Sequence, residues 1–258
     1  MKRVITVFLN ELKYSFIILN RYRINWMFGL SNLFLSVLFL NLGIKSFGNY
    51  VTENVLDLKL TQMIIGLFVF IVIAEGLNNI ISKITEAKQS GVLEQIIVNP
   101  LGSKYIFVIK FFADFVIVFI SIAIIIPLTM IITSKIISFN MYKLIILLIP
   151  LLFCTLGVGL ILGGATLVFK KLQSATHLMQ FLILTLMVIP SYPINPYSFL
   201  PITVESMAIN KVFSSQISLS FDLVVFLYAH SLAYFILGLL VYSKFEDYAK
   251  TKGILGHY

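Results

Sequence analysis

Apolar residues along this chain fall into long unbroken runs separated by short polar stretches, and the runs have the length of membrane crossings. Ile24 to Ile44, Leu60 to Ile81, Tyr105 to Thr133, Tyr142 to Phe169 and Phe221 to Ser243 each approach or exceed the roughly 20 residues that carry a helix across about 30 Å of hydrocarbon. Unpaired backbone groups are too costly in lipid, so these runs are predicted to be helices. Pro127 and Pro150 fall inside the third and fourth runs, where a kink is expected. A further run, Ala175 to Ile189, is too short to cross alone. Pro190, Pro193, Pro196 and Pro201 follow it, and each removes a backbone donor. Ile202 to Phe213 can then resume as helix. The pattern predicts a broken fifth helix followed by a re-entrant or interfacial segment over residues 190–220, and six spans in all.

Residues 1–23 read differently. Arg3, Thr6, Asn10 and Lys13 share one helix face, with Val4, Val7, Phe8, Leu12 and Leu19 on the other, while Glu11 and Ser15 intrude on the apolar side. This predicts an amphipathic helix lying in the headgroup layer. It serves either as a surface anchor or as a docking surface for a partner.

Composition agrees with a membrane protein. The 258 residues are 59% hydrophobic and only 12% charged, against about 25% charged in soluble domains. The net charge of +8 is a matter of topology. With both termini inside, only Lys45, Lys59, Lys135, Lys143 and Lys211 of the 19 Lys and Arg residues lie outside. That bias excludes nucleic acid as the reason for the charge. It places a six-span domain at 24–243, a cytoplasmic loop at 82–104 and a cytoplasmic tail at 244–258, in the cell membrane. The first run begins only after Arg23 and no small-residue cleavage pattern follows it, so no cleaved signal is expected.

Little in the sequence suggests chemistry. Cys154 is the single cysteine, so it forms no internal disulfide, and it reads as lipid-facing or core filler. His177, His230 and His257 show no ligand spacing, and no metal set is expected. Gly159 and Gly163 form a Gly-x-x-x-Gly pair for close helix packing, and no phosphate-binding motif follows them. Within the spans, Asp114 follows Lys110 by four residues and can pair with it, and Glu75 sits about 9 Å from the end of its apolar run at Ile81. Charges at such depth are costly. They fit either an interior ion pair or the polar lining of a transport path.

The loop between the second and third runs holds Glu86, Ser90, Gly91, Val92, Leu93, Glu94, Gln95, Ile96, Ile97 and Pro100. Ser90 can cap a two-turn helix that Pro100 ends. Val92, Leu93, Ile96 and Ile97 lie on one side of it and Glu94 and Gln95 on the other. By pattern alone this is equally an inert interfacial loop or a lever for a soluble partner.

Glu86, the block Gly91-Val-Leu-Glu-Gln-Ile and Pro100 resemble the coupling-helix signature of type-2 ABC exporter permeases, with Lys83 and Lys88 standing where that family usually carries Arg. The length, the N-terminal helix, the six spans and the proline-rich segment resemble the drug, peptide and lipid exporters of that family. The resemblance implies that two permeases, as a homo- or heterodimer, join two cytoplasmic ATPase subunits whose grooves receive the short helices. ATP and Mg2+ would belong to the ATPase, and this chain would itself be no enzyme and hold no cofactor. The cargo would be hydrophobic or amphipathic. Two other readings stand beside this one. One is an immunity or sensor protein that binds a membrane-active peptide, and the other is a lipid-modifying membrane enzyme.

Overall fold

A computed structural model describes residues 2–48, 53–133, 140–169 and 175–253. Lys135, Lys170, Lys171, His257 and the tail beyond 253 lie outside the described residues. Among the described residues all regular structure is helical. The helices are α1 (Lys2–Arg21), α2 (Arg23–Gly48), α3 (Glu53–Gln89), α4 (Leu93–Val98), α5 (Ser103–Thr133), α6 (Met141–Val168), α7 (Ala175–Val188), α8 (Thr203–Phe213) and α9 (Phe221–Thr251). A single 3-10 turn, Pro196–Phe199, lies between α7 and α8.

Five of these helices, α2, α3, α5, α6 and α9, are long and apolar enough to cross a membrane. The chain is therefore an all-helical protein of multi-pass membrane type. The sequence predicted six spans, and α7 does not qualify as the sixth. Its 14 residues reach only about 21 Å. Two of the spans run eight residues past the C-terminal ends of their apolar runs. α3 continues past Ile81 to Gln89 and α9 past Ser243 to Thr251. The polar ends of these helices are held by other helices, so hydropathy alone does not mark where they stop. Much of the predicted loop 82–104 is consequently helix.

Caps fix the starts of two spans. The Asn140 side chain accepts from the backbone N–H groups of Tyr142 and Lys143 ahead of α6, and Ser220 accepts from Leu223 ahead of α9. α5 and α6 run on as helix through Pro127 and Pro150.

α3 and α6 form the buried centre, with α9 packed along α6. Glycines set this packing. A Cβ on Gly157 would lie 2.3 Å from the Tyr234 carbonyl oxygen, and one on Gly238 would lie 2.3 Å from the Gly157 oxygen. Gly164 approaches Tyr242 and Phe245 of α9, while Gly159 and Gly163 receive Ile80 and Ile84 of α3. The Gly159/Gly163 pair thus admits α3, and the other two glycines of α6 admit α9.

These pairings also give direction. Higher numbers on α6 meet higher numbers on both α3 and α9, so the three helices run parallel. α6 therefore ends at the opposite end of the bundle from the start of α9, and α7, at about 21 Å, is shorter than either. α7 ends at Val188, and the chain turns through Pro196–Phe199 into α8. α8 is enclosed by protein, with Val204, Ala208, Ile209 and Val212 buried. Asn210 bonds to the Gln62 carbonyl on α3 at 3.2 Å.

Candidate functional site

The short helix α4 closes the end of the bundle where α3 finishes and α5 begins. Gly91 has a φ of +71°, a left-handed conformation in which a β-carbon is disfavoured, and this turn carries the chain from α3 into α4. Ser90 does not cap α4 as predicted. Its hydroxyl donates back to the Glu86 carbonyl at 2.7 Å and closes α3 instead. The α4 start is Val92, without a side-chain cap. Asn99 is extended before Pro100, as proline demands.

The apolar side of α4 is divided. Leu93 is 1% and Ile96 8% exposed, packed into the chain's own core, whereas Val92 is 43% and Val98 82% exposed. Glu86, Gly91, Glu94, Gln95 and Pro100 are exposed, and Ile97 is half-buried. Leu93 and Ile96 therefore anchor the helix, and Glu94, Gln95 and Val98 face outward.

Two polar ties frame α4, and the sequence reading missed both. The buried Lys88 ammonium donates to the carbonyls of Thr166 and Leu167 at 2.8 and 3.0 Å, which satisfies the C-terminal end of α6. Just past α4, the Ser103 hydroxyl donates to Glu246 of α9 at 2.5 Å, and Lys250 pairs with the same carboxylate at 2.6 Å. Lys104 also donates to Ser243, at 3.2 Å. The two stems of α4 are thus fastened to α6 and α9.

A cleft of about 510 Å³ opens between α2, α3 and α5. Trp26, Leu30, Leu33, Phe70 and Ile117 give it apolar walls, and Glu75, Asn78 and Ser121 give it polar groups. A smaller hollow of about 310 Å³ adjoins it, shares Trp26 and Glu75, and reaches Ser15, Lys83 and Asp114. The Trp26 indole donates to Ser121 at 3.0 Å across the α2–α5 contact.

Glu75 and Asp114 both line these hollows, but they differ. Asp114 does not pair with Lys110. It meets Lys83 of α3 at 3.4 Å and accepts from the Ser15 hydroxyl of α1, while Lys110 pairs with Glu11 of α1 at 3.4 Å. The two residues that spoil the apolar face of α1 are therefore the two that dock it on α5. Glu75 is exposed to the cleft and makes no ion pair among the described residues. It lies 14 residues, about 21 Å, from the end of α3 at Gln89, because the helix runs on past the apolar run that ends at Ile81.

A third polar group is buried where α6, α8 and α9 meet. Cys154, Glu205 and His230 offer ligand atoms that all lie within 4.8 Å of one another. Sequence spacing gave no sign of this cluster. Its members are 51 and 25 residues apart in sequence, and only the return of α8 into the bundle joins them. No family model matches the chain, and no curated protein sequence matches it.

Proposed function

We propose that this chain is the membrane permease subunit of an ATP-driven exporter of the type-2 ABC class. The single observation that carries the reading is the division of α4, with Leu93 and Ile96 locked inside and Glu94, Gln95 and Val98 presented outward. A polar outer face is what any water-facing helix carries, but Val98, 82% exposed beside Glu94 and Gln95 on a helix clamped by four spans, is an uncovered apolar side chain that suits a partner surface. In this reading α4 is the coupling helix and sits in a groove of a cytoplasmic ATPase. Glu94 is its polar anchor, through charge-assisted hydrogen bonds, and the Gly91 turn gives the partner close backbone approach.

The ties around α4 give the mechanism its mechanical basis. Force applied at α4 reaches α3 and α5 through the chain. It reaches α6 through Lys88 and α9 through Ser103 and Glu246. ATP binding in the partner would draw two coupling helices together and rock these four spans as a unit. The cleft with Glu75 would then open to the opposite side. Its aromatic walls and the Glu75 carboxylate suit an amphipathic cargo with a cationic or hydrogen-bond-donating end.

The topology follows. α1 is the amphipathic elbow, docked by Glu11 and Ser15. The climb from Val168 to Phe221 supplies a sixth, broken crossing, with α8 as the re-entrant piece. Both termini are cytoplasmic in the cell membrane, in keeping with the Lys and Arg bias. The thinly covered α2, with Ile24, Phe28, Phe39 and Leu42 exposed, contacts lipid or the second permease.

The test is purification of the tagged chain from its native membrane in mild detergent, followed by assay of ATP hydrolysis. The expected result is a stoichiometric nucleotide-binding subunit with ATPase activity, lost from the eluate when Glu94→Ala is combined with Gly91→Trp. A chain that purifies without any ATP-hydrolysing partner overturns the reading and favours a peptide-binding immunity or sensor protein.

A further inference from the structure

We propose that Cys154, Glu205 and His230 form a binding site for a thiophilic divalent cation of the zinc class, which pins the returning helix α8 to α6 and α9. The inference stands independently of the export reading.

The residues come from three separate elements. Cys154 lies half-way along α6, Glu205 in the first turn of α8 and His230 in α9. All three are buried, with residue exposures of 0, 0 and 8%. Their mutual separations of no more than 4.8 Å approach the roughly 3.4 Å between ligand atoms expected around a tetrahedral zinc with bonds near 2.1 Å. One thiolate, one carboxylate and one imidazole make a three-ligand set, with a fourth position left to another group.

Electrostatics favours such an occupant. A dication with one thiolate, one carboxylate and a neutral imidazole sums to zero charge, which a dry interior tolerates. The polar atoms present are also not satisfied by one another. Glu205 Oε1 and His230 Nδ1 lie 2.7 Å apart, yet Glu205 Oε2 and His230 Nε2 make no well-formed hydrogen bond among the described residues, with only the Cys154 sulfur and the Phe199 carbonyl as loose polar neighbours of the pair. Buried polar atoms are rarely left unpaired without a reason.

The surroundings resemble an outer shell. The Ile202 N–H donates to the Cys154 sulfur at 3.3 Å and fixes where that sulfur points. Ile202 holds a φ of 71° to make that bond, an unfavourable backbone for a β-branched residue and a kind of strain that gathers at functional sites. Phe226 stacks on the His230 ring and Tyr234 meets it edge-on at 4.9 Å, so the imidazole is fixed. Tyr234 also donates to the Phe199 carbonyl at 2.7 Å, which ties the 3-10 turn to α9.

Cobalt(II) serves as the probe, because a cobalt–thiolate bond gives a near-ultraviolet charge-transfer band and four-coordinate cobalt absorbs strongly in the visible. Cys154 is the only cysteine, so that band has one origin. The full chain, purified in detergent with a tag free of histidine and treated with chelator, is titrated with Co2+ and then with Zn2+. The proposal expects about one equivalent of cobalt, a charge-transfer band, and loss of both on adding zinc. Cys154→Ser removes the band, and Glu205→Gln weakens uptake by about tenfold or more. Absence of a band in the parent chain, or a band and stoichiometry unchanged in Cys154→Ser, overturns it. An absent band would leave a bare Glu205–His230 ion pair with a neutral thiol beside it. Because the parent chain decides the outcome, a variant that misfolds does not rescue the proposal.

Discussion

Lys88, near the end of α3, donates from its ammonium to the carbonyl of Thr166 in the last turn of α6, at 2.8 Å and across 78 residues of sequence. The contact joins the stem of α4 to the central helix. A buried cation bonded to terminal carbonyls loses more on truncation than a surface lysine, because it leaves those carbonyls unpaired. Lys88→Met is expected to lower stability by about 1–3 kcal/mol, read as a fall in thermal midpoint in detergent. Lys104→Met, whose partner is the half-buried Ser243 hydroxyl, is expected to cost less.

The α6–α9 seam makes a sharper prediction. A Cβ on Gly238 meets backbone at 2.3 Å, so Gly238→Ala must push two helices apart, at a cost of about 1–3 kcal/mol. Gly29→Ala in α2 meets nothing within 4 Å. It is expected to be neutral or to stabilise by up to about 1 kcal/mol through helix propensity. Thermal unfolding of the two variants side by side checks the pair, and equal losses would contradict the packing.

Elements whose signal is local were legible in the sequence. The five long spans, the break after Val188 and the α4 segment follow from hydropathy and proline. Partners distant in sequence were not. The i,i+4 rule offered Lys110 for Asp114, yet docking of α1 gave Lys110 to Glu11 and Asp114 to Lys83. Ser90 carried a cap signal for α4 but closes α3. Cys154, Glu205 and His230 carry no shared spacing, because a chain reversal through α8 brings them together. Glu11 and Ser15 held a readable clue, since polar intrusions on an apolar face call for polar partners.

The re-pairing is measurable. In a double-mutant cycle, Lys83→Met with Asp114→Asn is expected to show a coupling of about 0.5–1 kcal/mol, modest because Lys83 is a quarter exposed. Lys110→Met with Asp114→Asn is expected to be additive. Coupling in the second pair and none in the first would restore the simple helix-face pairing.

Glu75 is expected to act on cargo rather than on folding, since it faces the cleft with no ion-pair partner among the described residues. Glu75→Gln is expected to leave the stability, read from the thermal midpoint, within about 0.5 kcal/mol of the parent. It is also expected to reduce export of cationic amphipathic compounds by about tenfold, with neutral ones less affected. A large stability change with unaltered transport would make Glu75 a structural residue.

Orientation is open to direct labelling. A cysteine at Gln216, in the exposed turn after α8, is expected to react from outside intact cells with an impermeant thiol reagent. One at Gln89, exposed at the opposite end, is expected to react only after the membrane is opened. The reverse pattern would invert the topology and remove α4 from the cytoplasm.

Site-specific photo-crosslinking from α4 in native membranes tests the coupling role most directly. A photoreactive residue at Glu94, Gln95 or Val98 is expected to capture a nucleotide-binding subunit, with a yield that changes when ATP is added. The same residue at Leu93 or Ile96 is expected to capture only this chain, since those side chains are 1% and 8% exposed. Adducts to a nucleotide-binding subunit absent from all three outward positions, in cells that express the complete system, would contradict the account.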